Sequence, residues 1–228
     1  ILHKGKSLQR RLTIVEGQTS AEIVAALDAM PALTGNVDRL VGEGSLYPDT
    51  YFYTYATARV EVILRMQDKM QITLAEAWAS RQVDLPYKTP YEALIMASII
   101  EKEASSKADR QMVAAVLVNR MKRGMRLQSD PTVRYGIDVD TNQPISKADL
   151  RRKTPWNTYV ITGLPKTPIC NPGFESIEAA VNPTDSDFLY FVSDGFGGLR
   201  FAKTLDVHNK NVRLFRAIEA QNPKGPKP

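Results

Sequence analysis

Residues 94–104 place a carboxylate in line with apolar side chains. On a helix with about 3.6 residues per turn, Glu103 shares a face with Ile99 and Ile100, and Met96 lies further back on the same face. Burial among apolar groups disfavours the ionised form of a carboxyl group and raises its pKa toward the range of a general acid. Cleavage of a glycosidic bond needs such a group, because a neutral carboxyl can protonate the leaving oxygen.

Glu101, two positions earlier, has Ser98 and Ala97 as its helical neighbours and lies closer to the polar side. We interpret it as a surface carboxylate or as one that supports the site. For Glu103 a second interpretation stays open, since charged residues often end a buried helical stripe. In that case Glu103 pairs with a nearby Lys or Arg and has a structural role.

Two clusters later in the chain, 128–136 and 157–173, are dense in amide, hydroxyl and aromatic groups. We expect both to be loops, and this mix of side chains is typical of clefts that bind polar substrates. Sugar recognition fits them. Turn chemistry fits them as well, because Asp-Pro, Asn-Pro-Gly and Gly-Leu-Pro are common turn formers.

Other kinds of catalytic site find little support in the sequence. It has no glycine-rich phosphate loop, no His-Glu-x-x-His and no Gly-x-Ser-x-Gly motif. Its single cysteine, Cys170, excludes an intramolecular disulfide framework and a cysteine-rich metal site. With His3 and His208 as its two histidines, a histidine-based metal site is not expected either, so we predict no metal and no cofactor.

The composition of the 228-residue chain, with 43% hydrophobic and 24% charged residues, is typical of a folded protein of one large or two small domains. Its net charge of +5 suits acidic partners in general, and nucleic acid and cell-wall peptides both qualify. The basic runs are short and lack interleaved aromatic residues, so we predict no nucleic-acid binding. No run of about 18 apolar residues is present, so no membrane span is predicted within the sequence.

Apolar periodicity and helix-start signals predict four helices in the first part of the chain. The clearest start is Thr89, a good N-cap followed by Pro90. Beyond Gly124 many Pro and Gly residues favour loops, with one short helix and one β-hairpin. The sum is an α+β fold with a helical front half that carries Glu103 and a loop-rich, partly β back half. The predicted helices are 21–30, 58–79, 90–104, 109–122 and 174–181, and the hairpin joins 189–193 to 199–203.

Several separate motifs, in the same order, resemble those of the MltG/YceG-like endolytic murein transglycosylases. They cover the chain from about residue 15 to residue 209. The motifs are Ala-Ser-Ile-Ile-Glu-Lys-Glu at 97–103, Asn119-Arg120, Leu-Gln-Ser-Asp-Pro-Thr-Val at 127–133, Asn-Thr-Tyr at 157–159 with Gly-Leu-Pro at 163–165 and Asn-Pro-Gly at 171–173, and His208-Asn209.

The resemblance implies that Glu103 is the catalytic residue of a lytic transglycosylase, a carbon–oxygen lyase. The substrate would be peptidoglycan glycan strands, cut between N-acetylmuramic acid and N-acetylglucosamine without water as the nucleophile. The muramoyl C6 hydroxyl would attack C1 and leave a 1,6-anhydro end. The resemblance also implies action on nascent strands, which limits their length, with peptidoglycan synthases of the penicillin-binding class as protein partners.

The resemblance further implies a single-pass protein of the bacterial inner membrane with its catalytic domain in the periplasm. We expect its N-terminal membrane helix to be absent from this sequence. On this basis residues 1–15 are the remnant of an N-terminal LysM-like subdomain, whose last strand lies within 6–15. Residues 16–220 are the YceG-like catalytic domain, and residues 221–228 are a flexible tail.

We expect a set of polar residues to position the sugar or to hold the loops around Glu103, and the role of Asp130 is open between these two. The predicted substrate-binding residues are Gln128, Ser129, Asp130, Thr132, Tyr135, Asn157, Tyr159 and Asn171. The residues predicted to support the site from behind are Glu101, Asn119, His208 and Asn209.

Three other functions are weighed against this one. A water-using muramidase would employ Asp130 as a second carboxylate and would release reducing muramic ends. A wall-binding scaffold that keeps the fold without activity would have little reason to retain Glu103 in an apolar stripe. A nucleic-acid binder would need basic patches that the sequence lacks.

Overall fold

The computed structural model describes residues 8–37, 41–137 and 144–221. Within these ranges helices predominate and the strands are short, which confirms the α+β class. In chain order the elements are β1 (Arg10–Thr13), α1 (Ser20–Asp28), β2 (Leu33–Thr34), β3 (Thr50–Tyr53), β4 (Thr57–Ala58), α2 (Arg59–Ala79), α3 (Pro90–Glu103), α4 (Lys107–Lys122), α5 (Asp130–Ile137), α6 (Phe174–Val181), β5 (Tyr190–Ser193), β6 (Leu199–Ala202) and α7 (Leu205–Gln221), with a 3-10 turn at Asp149–Arg151.

Side-chain caps explain where α1 and α3 begin. Thr89 caps α3 by accepting a hydrogen bond from the backbone N–H of Glu92, whose carboxylate accepts one from the N–H of Thr89 in return. Thr19 and Glu22 form the same reciprocal arrangement at α1. Both starts follow from the sequence because a Thr followed three positions later by Glu satisfies two backbone donors at once.

A small hydrophobic core lies between β1, α1, β3 and the first half of α2. β1 pairs antiparallel with β3, with Leu12 opposite Tyr51. Ile23 and Leu27 of α1 are fully buried in this core, and so is Met66 of α2. Because β1 packs here, the part of the predicted strand 6–15 that the structure describes belongs to the same packed unit as α1 and α2.

The larger core surrounds α3, which packs against α4 and α6. Every residue from Ala93 to Ile100 is buried, including Met96, Ile99 and Ile100 at 0% exposure. The helix is therefore enclosed on all sides along its middle, and its C-terminal turn is where polar side chains begin. This placement brings Glu103 to the edge of the core.

The back half of the chain contains more helix than the sequence predicts. Residues 130–136, interpreted as a loop, lie within α5, and α7 was not predicted. Asp130 followed by Pro131 is a turn signal, but the same pair also suits a helix start, because proline favours the first helical turn and an acidic residue complements the helix dipole there. The predicted helix at 174–181 and the predicted hairpin are confirmed.

α7 lies against the β5–β6 hairpin. Gly195, in the turn of this hairpin, has a φ of +84°, and a Cβ atom added to it would lie 2.8 Å from Cγ2 of Ile218. A glycine therefore serves both the turn and the close approach of the helix. Residues 222–228, which make up nearly all of the predicted tail, lie outside the described residues, as do residues 1–7 of the predicted remnant. In the described part of the chain, no helix combines the length and hydropathy needed to span a bilayer.

Candidate active site

A cleft of about 1450 Å³ lies between the small core and the α5–α7 side of the molecule. Part of its lining comes from the start of α1 and from Glu43, and another part comes from β5 and α7. The end of α3, the residues before α5 and the loop at Trp156–Tyr159 also line it. A cleft lined by several elements, with a few convergent polar groups, is the usual form of a substrate site.

Glu103, the last residue of α3, lies in this cleft, partly accessible to solvent but closely surrounded by protein atoms. Its Oε1 accepts a hydrogen bond of 2.6 Å from the Ser129 hydroxyl. The pKa of Glu103 is raised to about 7, chiefly by burial. The Ser129 hydrogen bond and the charge of Arg120 lower this pKa, and the charge of Asp130 raises it. Near neutral pH this carboxyl group can therefore give and accept a proton.

Among the described residues, no ion pair involves Glu103. The structural interpretation of Glu103 requires an ion pair with a Lys or Arg, and the described residues provide none. Its closest polar contact is neutral, and the nearby cation acts through space. A desolvated carboxyl without a paired charge is typical of a general acid rather than of a structural anchor.

The hydroxyl of Ser129 is held in place by a small buried network. The backbone N–H of Ser129 donates to Oγ1 of Thr158 at 2.9 Å, and the Thr132 hydroxyl donates to the carbonyl of Ser129 at 2.6 Å. The hydroxyls of Thr132 and Thr158 also lie 2.8 Å apart. Ser129 follows Gln128, whose φ of +53° is strained for a non-glycine residue. Strain at this point of the chain is consistent with a functional constraint on the turn that presents Ser129.

Asp130 and Tyr159 form a second polar pair in the cleft. The Tyr159 hydroxyl donates to Oδ1 of Asp130 at 2.6 Å, and both residues line the cleft. Burial and the nearby carboxylate of Asp130 raise the pKa of Tyr159, so its hydroxyl stays protonated as a donor. Gln128 and Tyr135 also line the cleft, so four of the predicted substrate-binding residues have access to a ligand there.

Tyr135 contacts two other residues that line the cleft. Its hydroxyl donates to Oε2 of Glu43 at 3.2 Å, and its ring packs edge-on against Trp156 with 5.5 Å between centroids. Neither Glu43 nor Trp156 was predicted from the sequence, although both line the cleft. Tryptophan faces commonly carry apolar contacts, but no local pattern distinguishes such a position from a core one.

Three predicted substrate-binding residues are fully buried instead. Thr132, Asn157 and Asn171 have 0% exposure. The Asn157 amide donates to the carbonyls of Asp149 and Arg152, at 3.1 and 2.8 Å. These geometries fit support of the loops and not contact with a sugar. The reason is that an amide that satisfies several backbone groups stabilises a loop as well as it can bind a ligand, and the sequence does not distinguish the two roles.

Asn171 is buried where the two cores meet. Its Oδ1 accepts from the backbone N–H of Leu46 at 2.8 Å, and its Nδ2 donates to the carbonyl of Gln18 at 3.0 Å. It therefore ties the turn before α1 to the loop that carries Glu43. Through these bonds it shapes one wall of the cleft from inside the protein.

Glu101 is not a surface carboxylate. Its side chain is 5% exposed and pairs with Nη2 of Arg110 at 3.0 Å, while its other oxygen accepts from the backbone N–H of Gly173 at 2.9 Å. The helical wheel failed to predict this burial because α4 supplies the arginine and the start of α6 covers the polar side of α3. Glu101 thus lies in a buried ion pair two residues before Glu103, and its support of the site stays a prediction.

The other predicted supporting residues differ in position. Asn119 donates to the carbonyls of Ser186 and Phe188, at 2.8 and 3.1 Å, and so holds the segment that leads into β5. His208 lines the cleft and stacks on Tyr190 with 5.2 Å between ring centroids, while burial and the nearby Arg120 lower its pKa. Asn209 is exposed on α7 and is not among the residues that line the cleft.

Arg120 is a cleft residue that the sequence reasoning missed. It is 9% exposed, and its guanidinium donates to the carbonyls of Leu189 and Leu127, both at 2.7 Å. The signal was available, because Arg120 follows the buried residues Val116 and Leu117 at helical spacing. A charged residue on the apolar face of α4 is the same pattern that singled out Glu103 on α3.

Across the described ranges, no group of three or more His, Cys, Asp and Glu side chains is arranged to hold a metal ion. Cys170 is a buried free thiol whose pKa is raised by that burial. The groups that the cleft offers for chemistry are therefore the Glu103 carboxyl, the Tyr159 hydroxyl, the Asp130 carboxylate and the Arg120 guanidinium. The buried Ser129 hydroxyl acts behind them, on Glu103.

Known proteins resemble this chain over most of its length. A protein named endolytic murein transglycosylase from Bacillus subtilis strain 168 is 40% identical over 182 residues, which cover 80% of this chain and 49% of the relative. One of the same name from Streptococcus pneumoniae serotype 2 strain D39 is 32% identical over 201 residues, which cover 86% of this chain and 36% of the relative. The chain thus spans about half or less of the length of these relatives.

A crystal structure of a yceG-like protein from Listeria monocytogenes has a similar fold, with a TM-score of 0.69 at 33% identity. The superposition covers 88% of this chain and 75% of the other. The profile of the family described as YceG-like matches residues 1–214. This chain belongs to the YceG-like family.

Proposed function

We propose that this chain is the catalytic part of an endolytic murein transglycosylase that cuts peptidoglycan glycan strands between N-acetylmuramic acid and N-acetylglucosamine. The observation that carries the proposal is the Glu103 carboxyl, which lies in an open cleft with its pKa raised to about 7 and no charged group paired to it. Two relatives named endolytic murein transglycosylase support the choice of substrate.

The first step is protonation of the leaving group. Neutral Glu103 donates its proton to the glycosidic oxygen, and the bond between that oxygen and C1 of the muramoyl residue breaks. Positive charge develops at C1 and at the ring oxygen. Asp130, whose side chain lines the same cleft, is suited to stabilise this charge without bonding to it.

The second step closes the new ring. The Glu103 carboxylate accepts the proton of the muramoyl C6 hydroxyl, whose oxygen bonds to C1 and forms the 1,6-anhydro end. Glu103 is protonated again and no water is consumed. A single carboxyl serves both steps because its pKa lies close to neutral, so that neither protonation state is strongly disfavoured.

A hydrolytic muramidase is the second candidate, and one observation favours it. Asp130 is near enough to Glu103 for its charge to raise the pKa of that carboxyl, and paired carboxylates are the usual arrangement of glycosidases. In that mechanism Oδ2 of Asp130 would activate water or attack C1, because Oδ1 accepts the hydrogen bond from the Tyr159 hydroxyl.

The two candidates differ in their products. Defined glycan strands digested with the protein should yield 1,6-anhydromuramoyl ends by mass spectrometry. Reducing muramoyl ends, heavier by one water, would support the muramidase. If neither product forms on strands that a known muramidase cleaves, the proposed function is wrong.

We also propose that the full-length protein is anchored in the bacterial inner membrane by a helix outside this sequence, with this domain in the periplasm. There it would act on nascent strands, limit their length and work beside peptidoglycan synthases. Family membership supports this setting. Two reporters fused to the C-terminus of the full-length protein test it, one that is active only in the periplasm and one that is active only in the cytoplasm. Activity of the periplasmic reporter is expected, and activity of the cytoplasmic reporter alone would contradict the proposal.

A further inference from the structure

Arg120 places a positive charge in the cleft, and several hydrogen bonds hold its guanidinium. Its Nε donates to the carbonyl of Leu189 and its Nη1 donates to that of Leu127, both at 2.7 Å. Nη1 also lies 3.2 Å from the carbonyl of Arg126 and 3.4 Å from Oε1 of Gln128. Acceptors from two different segments therefore hold the guanidinium, and an arginine side chain keeps its charge even when buried.

The acceptors of Arg120 are neutral. Among the described residues, Arg120 forms no ion pair, and the ring of Tyr190 lies 5.2 Å from its guanidinium carbon. Backbone carbonyls satisfy the N–H groups without neutralising the charge. The field of Arg120 thus extends into the cleft, where Glu103 lies within its range but outside ion-pair distance.

We propose that Arg120 is a positioning residue of the Glu103 site, which stabilises through space the carboxylate that exists between the two proton transfers. This inference rests on the proposed function. A carboxylate in a desolvated cleft is costly, and a fixed cation lowers that cost at the moment when Glu103 has lost its proton. Direct pairing would instead hold Glu103 ionised and prevent the first step.

Other charged or titratable groups face the same space and must be included in any test. Asp130 opposes Arg120, since its negative charge disfavours the Glu103 carboxylate. The groups that interact electrostatically with Glu103 or Arg120 are Asp130 of α5, Tyr159 of the 157–159 loop, Tyr190 of β5 and His208 of α7. The other charged side chains that line the cleft are Glu22, Glu43, Lys102, Arg134 and Arg216. The two charges of opposite sign, Arg120 and Asp130, provide matched variants.

The experiment measures the titration of Glu103 in the protein without substrate, by NMR of labelled carboxyl groups, together with the pH profile of strand cleavage. Arg120→Met removes the charge and should raise the pKa of Glu103 by about one unit. The acid step needs protonated Glu103, so the pH at which kcat/KM declines should rise by the same amount. The value of kcat at the optimal pH should decrease.

Two further variants separate charge from structure. Asp130→Asn should shift the titration of Glu103 in the opposite direction, to lower pH. Arg120→Lys keeps the charge but loses the forked bonds to the carbonyls, so its Glu103 titration should stay within about half a unit of wild type. Gln128→Leu removes one acceptor of Arg120 and leaves the charge, so it should not move the titration.

The proposal is overturned if folded Arg120→Met leaves the Glu103 titration unchanged, because Arg120 is then only a tie between segments. Should Arg120→Met not fold, Arg120→Lys decides, and an upward shift of about one unit in that variant contradicts the proposal. If wild type cleaves strands but the variants do not shift the Glu103 titration, the role of Arg120 is wrong and the proposed function stands. If wild type does not cleave strands, the proposed function and the catalytic part of this inference fail together, whatever the titration shows.

Discussion

The last turn of α3 carries two glutamates, Glu101 and Glu103, in opposite environments. Glu101 pairs with Arg110 and accepts a backbone N–H from Gly173, so both of its oxygens have strong partners. Glu103 has the Ser129 hydroxyl as its hydrogen-bond donor and faces a cleft. Two residues on one helix turn point in different directions, so the neighbouring segments decide which carboxyl is structural and which can do chemistry.

The largest expected effect is on catalysis. Glu103→Gln removes the transferable proton but keeps the size and most contacts of the side chain. Strand cleavage should fall by at least about 10²–10⁴-fold, the usual contribution of general acid–base catalysis. Cleavage assays on defined strands measure this. Glu101→Gln is the matched control on the same turn and should retain far more activity wherever it remains folded, and near-normal activity of Glu103→Gln would contradict the assignment.

The second effect is on the free energy of unfolding, for which substitution of Glu101 should cost more than substitution of Glu103. Glu101→Gln leaves Arg110 buried with Glu175 as its one remaining ion-pair partner, so unfolding should become easier by about 3 kcal/mol. Denaturant titrations measure the change. Glu175→Gln is the control, because the Glu175 side chain is 45% exposed and its loss should cost no more than about 1 kcal/mol. Equal effects of the two substitutions would show that burial of Glu101 does not matter.

A third prediction concerns how the stability of the Glu103 variant depends on pH. Glu103 has a folded-state pKa of about 7, above its ordinary value of 4.5, so wild type loses stability as pH rises between these values. Glu103→Gln lacks this loss. It should therefore melt close to wild type at about pH 4, and at the same temperature or higher at about pH 7.5. A variant that melts well below wild type at the higher pH would identify Glu103 as a structural anchor.

Ser129→Ala tests the hydrogen bond to Glu103 and should have a smaller effect. The Ser129 hydroxyl favours the ionised form of Glu103, so its removal should raise the pKa of that carboxyl further. The decline of cleavage with rising pH should move to higher pH. Comparison of pH profiles for wild type and Ser129→Ala measures the shift, and an unchanged profile would mean that Ser129 does not set the titration of Glu103.

No effect is expected from metal removal. Protonation and attack by the C6 hydroxyl involve no change of oxidation state, and the residues proposed for these steps need no Lewis acid. Cleavage should survive exhaustive dialysis against EDTA. Activity that is lost on dialysis and restored by a divalent ion would require a different mechanism.

Local signals allowed much of the fold to be predicted. Helices α1, α2, α3, α4 and α6 follow from apolar spacing and, for α1 and α3, from the caps Thr19 and Thr89, which act over a few residues. α5 was missed because Asp130-Pro131 serves a turn and a helix start equally well. α7 was missed because its apolar residues have a partner only once the β5–β6 hairpin has formed.

The residues of the candidate site also differ in whether local sequence could identify them. Glu103 could be found because a carboxylate in an apolar stripe is a local anomaly, and Arg120 could have been found by the same argument. Thr132, Asn157 and Asn171 could not be assigned correctly, because their amide and hydroxyl groups bind backbone from distant parts of the chain. Sequence indicates that such groups need partners, but only the fold determines whether those partners are loops or a ligand.

The central claim is that Glu103 titrates near neutral pH while it faces the cleft. The most direct test is an NMR titration of the protein with labelled glutamate carboxyl carbons, assigned by the signal that disappears in Glu103→Gln. The account predicts a pKa of about 7 for Glu103. A value at or below the ordinary 4.5 would contradict it, because Glu103 would then be ionised near neutral pH and could not protonate a leaving group.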